Sequence, residues 1–236
     1  RDLLDGFVLN APVPNDPRPG FLMSRDVPFV MHGQAHDAPD YAFFGIDNAA
    51  VSADAVELLT TLGHRRIALI NGEARFAFAA EREAGFRAAM AAGAGAVPDS
   101  AVADGPPTEN TGYTLALSWL SGRTGPRPTA ILCATTPVAA GVLRAARDLG
   151  LSVPGDLSVM AHDDALPNIR PAHFNPALTV THAPLRAACA PLAQMLVDHL
   201  NGAPPARLQT VIRAGLIVRA STGPVPKGED IPWQIP

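Results

Sequence analysis

The sequence has no surplus of positive charge. Its 18 lysines and arginines stand against 22 aspartates and glutamates, a formal net charge of −4 with histidine neutral. A chain that grips nucleic acid unaided needs a basic footprint to displace counterions from phosphates, so these residues by themselves are excluded from that task. Cysteine is scarce, with two. Cys133 and Cys189 stand far apart in apolar surroundings, which excludes a C-x-x-C zinc or redox site and predicts buried, reduced thiols in a cytoplasmic protein. Long apolar runs are missing too. No window approaches the ~18 residues of a membrane helix, and Arg1-Asp2-Leu3-Leu4-Asp5 is no signal peptide. Glycine (20) and proline (24) make 44 of 236 residues, short of the ~25–30% that marks low complexity, so the prolines are expected to punctuate loops. The length and the 47% hydrophobic content predict one large or two small globular domains.

What is present is an alternation. Apolar runs of strand length occur at Gly6–Leu9, Pro28–Met31, Tyr41–Phe44, Ile67–Ile70, Ala130–Cys133, Leu157–Met160 and Leu178–Thr181. They are continuous, as in strands covered on both faces, and segments of helical period separate several of them. Asp47 is a predicted N-cap for a helix that Gly63 stops, and Thr108 caps another through Tyr113 and Trp119. Glu81–Ala92 reads as a third, and Pro137 sits in the first turn of a fourth that runs to Gly150. A last helix, about Leu185 to Leu200, contains Pro191 and is expected to bend there. The pattern is that of α/β structure with doubly wound parallel sheets.

In such sheets ligands lie beyond the carboxyl ends of the strands, so the residues that follow each strand are the candidates. These are His32-Gly33-Gln34, Asn71-Gly72, Thr135-Thr136 and His162-Asp163-Asp164. Each alone also reads as a cap or turn former; their shared position favours a site. No second His or Glu motif has metal-ligand spacing, and no G-x-S-x-G elbow, G-x-G-x-x-G or P-loop follows a strand. The candidates are hydroxyl, amide, guanidinium and carboxylate groups, suited to binding a neutral polyhydroxylated ligand rather than to catalysis. No catalytic residue, metal or cofactor is expected.

Six segments then carry a resemblance: Leu62–Ile70, Arg82–Phe86, Asp156–Val159, Asp163-Asp164, Pro176–Thr179 and Leu216–Thr222. In this order they resemble the effector-binding domain of the lactose-repressor (LacI/GalR) family of transcription regulators. The resemblance implies the periplasmic-binding-protein-like type I fold, two doubly wound parallel-sheet subdomains joined by three crossovers around a ligand cleft. The expected divisions are an N-terminal subdomain over 1–71, a C-terminal subdomain over 72–200, and a crossover strand and tail over 201–236. Segments 1–72 and 183–206 are expected to flank the cleft. The N-terminal subdomain is expected to be incomplete, with about two βα units, which would pair beside Gly6–Leu9, and a helix-turn-helix lying upstream of Arg1.

By the resemblance, Arg82 matches the arginine that hydrogen-bonds the effector and Asp163 the carboxylate that takes ligand hydroxyls. Where sugar-binding members often have Asp-Arg this sequence has Gly33-Gln34, preceded by His32, and where Asn-Asp is usual it has Thr135-Thr136. An aromatic platform common in the family is replaced by Pro107. Phe76 and Phe78 are candidates for the apolar face instead, with core packing as their alternative role. The implied partners are a small effector, a sugar or a derivative of one, a second copy in a homodimer, and operator DNA through the absent helix-turn-helix; no membrane partner is expected. A periplasmic sugar-binding protein of a transporter is the competing reading.

Overall fold

The computed structural model describes residues 4–34, 40–123 and 125–233. Four parallel strands, β1 (Phe7–Asn10), β2 (Phe29–His32), β3 (Ala42–Ile46) and β9 (Gln209–Ile212), form one sheet in the order β1-β2-β3-β9. The other sheet has six strands. It contains β4 (Ile67–Asn71), β5 (Val102–Asp104), β6 (Ala130–Cys133), β7 (Ser158–Asp163), β8 (Thr179–His182) and β10 (Gly215–Ile217), in the order β10-β8-β7-β6-β4-β5. All its neighbours are parallel except β10, which runs antiparallel to β8.

The sheets are covered by helices whose starts follow local chemistry. Helix α2 (Asn48–Thr61) is capped by Asp47, whose carboxylate accepts from the Ala50 amide at 2.8 Å. It ends before Gly63, which takes φ +93°, a conformation that costs other residues more than glycine. Thr108 caps α4 (Glu109–Leu120) through the Thr111 amide. Helix α5 spans Thr136–Asp148 with Pro137 in its first turn. Helix α3 (Ala77–Gly93) begins four residues before the expected Glu81. With α2, it buries Ala55, Val56, Leu59, Phe86 and Met90 against Ile67, Leu69, Ala130, Leu132 and Met160, one face of the six-stranded sheet. Ala116, Val138, Val142, Ala145 and Ala146 of α4 and α5 cover the other face, over Ala68, Ile70, Ile131 and Val159.

The chain passes between the sheets three times. It leaves the four-stranded sheet between Ile46 and Asn48, returns after His182, and leaves again between Ile212 and Gly215. The divisions expected at 71/72 and 200/201 are therefore displaced. β4 lies inside the six-stranded sheet, and α6 (Cys189–Leu200) packs on the four-stranded one, where Leu192 joins Val30, Phe44 and Leu208. The first displacement has a packing cause, since the apolar side of α2 has its partners in α3 and the six-stranded sheet. Pro191 falls in the first turn of α6, where no intrahelical bond is lost, and a separate 3₁₀ turn over Leu185–Ala188 precedes it. One other expectation is corrected by exposure: Cys133 is buried but Cys189 is exposed. β1 is left as an apolar edge strand with Phe7 and Val8 exposed, as expected of these residues alone. Helix α1 (Pro17–Met23) completes the elements.

Candidate functional site

The carboxyl ends of β4, β6 and β7 meet the start of α3. Gly72 makes that approach possible, because a Cβ there would lie 2.8 Å from the Phe78 ring. Phe78 lies 5.6 Å from Phe76, nearly parallel to it, and the Arg82 guanidinium is 5.1 Å from the Phe78 centroid. The two phenylalanines therefore stack on each other and on arginines, with Arg75 over Phe76 at 4.5 Å. They support the guanidinium instead of standing apart as an open platform.

Arg82 is 6% exposed. Its Nε donates to Asn48 Oδ1 and its Nη1 to the Ala134 carbonyl, both at 3.1 Å. Among the described residues Nη2 has no acceptor. Burial pulls the Arg82 pKa down, and the carboxylates of Asp164 and Glu81 pull it back. Asn48, 8% exposed, also donates to Glu81 and to the Ile46 carbonyl, so it ties α3 to the first passage between the sheets.

Asp163 and Asp164 part company. Successive residues of a strand face opposite sides, and Asp163 points away from α3. Its Oδ1 accepts from the Ala165 amide at 2.9 Å and its Oδ2 meets His182 Nδ1 at 2.8 Å. Asp164 shares the side of His162 and Arg82. Burial pushes its pKa up, but His162, Arg82 and His32 outweigh this and hold it below the ordinary value. The structure thus brings Asp164, not Asp163, to the arginine. His162 lies beneath, with Nδ1 3.0 Å from Thr181 Oγ1 and Nε2 3.4 Å from Asp164 Oδ1, long for a hydrogen bond. Burial first, and the Arg82 charge second, lower its pKa and keep the ring neutral. Thr135 is the N-cap residue of α5 but makes no side-chain cap bond.

The facing wall comes from the four-stranded sheet. His32 ends β2, with Nδ1 3.2 Å from Asn10 Oδ1. Burial lowers its pKa and the charge of Asp164, across the cleft, opposes that shift. Gln34 follows half-buried after Gly33, whose φ is +93°. The walls touch: the Pro12 carbonyl, after β1, accepts from the Ala77 amide at 3.0 Å and so satisfies a first-turn donor of α3. Of the predicted set, Arg82 and His32 each lie within electrostatic reach of Asp164, while Asp163 is engaged by His182 and the Ala165 amide. Asn48 was not among the candidates, and Asp164 stood among them without the role given to Asp163. For Asp164 the signal was available, since the i, i+2 alternation puts it with His162 on the α3 side.

Two α/β subdomains joined by three passages, with polar strand ends facing across a cleft, define the class of two-lobed ligand-binding folds. Residues 56–222 match the family model described as periplasmic binding protein-like domain. The chain is 41% identical over 219 residues to the HTH-type transcriptional regulator AglR of Rhizobium meliloti (strain 1021), covering 92% of this chain and 61% of AglR. The crystal structure of a LacI-family regulatory protein from Chloroflexus aggregans superposes with a TM-score of 0.84 at 31% identity, over 93% of this chain and 77% of that one. The structure of a transcriptional regulator CelR–cellobiose complex does so with 0.81 at 28% identity, over 93% and 66%. The chain belongs to the periplasmic binding protein-like family, as an effector-binding domain of the LacI-regulator type rather than an enzyme. It spans about three-fifths of the length of the curated regulators it matches.

Proposed function

We propose that this chain is the sensing part of a sugar-responsive transcription regulator, which binds a neutral polyhydroxylated effector in the cleft and transmits closure to a helix-turn-helix. The observation that carries the reading is the placement of Arg82 and Asp164 on one wall, each within electrostatic reach of the other, with His32 opposite. A donor-only guanidinium beside an acceptor-only carboxylate suits hydroxyls, which both accept and donate, and the two charges compensate each other so that a neutral ligand is favoured. Asp164 takes the ligand-facing role expected of Asp163, and Gln34 borders the same space. That a similar regulator is seen with cellobiose supports the ligand class. In this reading the regulator works in the cytoplasm as a homodimer whose twofold axis matches a palindromic operator.

Titration calorimetry with cellobiose, maltose, sucrose and trehalose tests the reading. One of them is expected to bind, and Arg82→Met to weaken that binding ten- to a hundredfold, the ~1.5–3 kcal/mol of a charge-assisted hydrogen bond. No heat with any of the four would refute the reading.

A further inference from the structure

We infer that Asn71 and His162 form a second row of effector contacts beneath Arg82, with His162 setting which hydroxyl arrangement is accepted. This rests on the sugar-sensing reading above. Three buried side-chain atoms make no hydrogen bond among the described residues: Asn71 Oδ1, Thr135 Oγ1 and His162 Nε2. Buried polar atoms without partners are few in native proteins and each one calls for a cause. Two of them are not scattered. Ile70 pairs with Cys133 and Cys133 with Ala161, so the next residues, Asn71, Ala134 and His162, stand in one row across β4, β6 and β7, whereas Thr135, one residue beyond Ala134, alternates to the other side. The middle place is held by a methyl group, and the Arg82 Nη1 bond to the Ala134 carbonyl sets the guanidinium above that row.

The orientation of each group follows from its occupied partners. Asn71 Nδ2 donates to the Ala79 carbonyl at 2.9 Å and also serves Asp104, its register neighbour on β5. Its Oδ1 is therefore turned toward β6 and the guanidinium. His162 is 1% exposed, and its Nδ1 is engaged on the β8 side by Thr181. When the Thr181 hydroxyl donates to Nδ1, the ring proton sits on Nε2, facing Asp164 Oδ1 at 3.4 Å. A ligand hydroxyl entering there accepts from Nε2–H and donates to the carboxylate, and a second can donate to Asn71 Oδ1. Asn71 Oδ1 has no partner among the described residues and His162 Nε2 has only the long contact to Asp164, which separates them from His64, whose two ring nitrogens already meet Thr129, Ser158 and the Gly223 carbonyl.

The test uses the parent chain and the paired variant H162F/T181V. This variant removes both members of one hydrogen bond by near-isosteric apolar groups and leaves neither orphaned. Calorimetry with whichever of cellobiose, maltose, sucrose and trehalose binds the parent is expected to show at least tenfold weaker binding by the variant, with the sugar-free melting temperature within a few degrees of the parent. Among monodeoxy derivatives of that sugar, one should bind the parent at least fivefold more weakly than the sugar itself, and the variant should no longer distinguish the two. A purely structural histidine would not move that discrimination. Should the variant fail to fold, the parent's His162 Nε2 nitrogen resonance provides the second measurement, expected to shift at saturating sugar. Undiminished affinity, retained discrimination or an unmoved resonance overturns the inference and leaves the sensing reading standing. Absence of binding by the parent overturns both.

Discussion

Two adjacent aspartates show how far one residue matters. Arg82 was legible through the family resemblance that its segment Arg82–Phe86 carries, and not from local pattern alone. The choice between Asp163 and Asp164 was open to the sequence only through alternation along an extended β7, which the shorter expected strand, ending at Met160, did not reach. The structure gives Asp163 to His182 and Ala165 and Asp164 to the cleft. Asp164→Asn is accordingly expected to weaken sugar binding ten- to a hundredfold, whereas Asp163→Asn should leave it within about threefold; calorimetry on the two variants decides. Phe76 and Phe78 illustrate the opposite case. Their type announced an aromatic surface, but their stacking on each other depends on Gly72 and on the start of α3, which no local pattern reports.

Among the elements, the seven apolar runs all became strands, and the three helices with terminal signals, at Asp47, Thr108 and Pro137, formed where those signals lie. β5 escaped notice, and β9 and β10 were expected only as one crossover strand within 201–236, because all three are three or four residues long and partly exposed, so no apolar run marks them. The helix pairs depend on glycines whose purpose the sequence conceals. A Cβ on Gly112 of α4 would stand 1.9 Å from the Val138 carbonyl oxygen, and one on Gly141 of α5 1.9 Å from that of Glu109. The backbones meet reciprocally, with no side chain between them. Gly85 does the same for α3, where a Cβ would come within 2.2 Å of the Ala49 carbonyl oxygen on α2. Overpacking of this kind costs ~1–3 kcal/mol, and the blocking atoms here are backbone. Gly141→Ala is therefore expected to lower the melting temperature by roughly 2–12 °C in thermal unfolding followed by circular dichroism.

At the scale of the whole molecule, the two sheets were legible as strands of one type but not as two memberships, since a buried parallel strand reads alike in either sheet. Hence the first passage was placed after Asn71 when it lies at Ile46–Asn48. Buried histidines give the whole fold a dependence on acidity. His64, His162 and His32 all have pKa values lowered, first by burial, so they stay neutral in the folded chain where the unfolded chain takes up protons at ~6.5. Stability is therefore full above that value and declines as pH falls through it toward the lower folded values, and the melting temperature at pH 5.5 is expected to lie below that at 7.5. Asn48 adds a mechanical consequence. One amide clasps Arg82, Glu81 and the Ile46 carbonyl, so the arginine is moored to the first passage between the sheets, the peptide about which the lobes would swivel in the proposed sensor. Asn48→Ala is expected to weaken sugar binding severalfold and to shrink the change in small-angle scattering on saturation. Thermodynamic reciprocity then works in reverse: a protein or DNA partner that fixes the angle of the swivel retunes the grip on the effector by the same factor that the effector exerts on the partner.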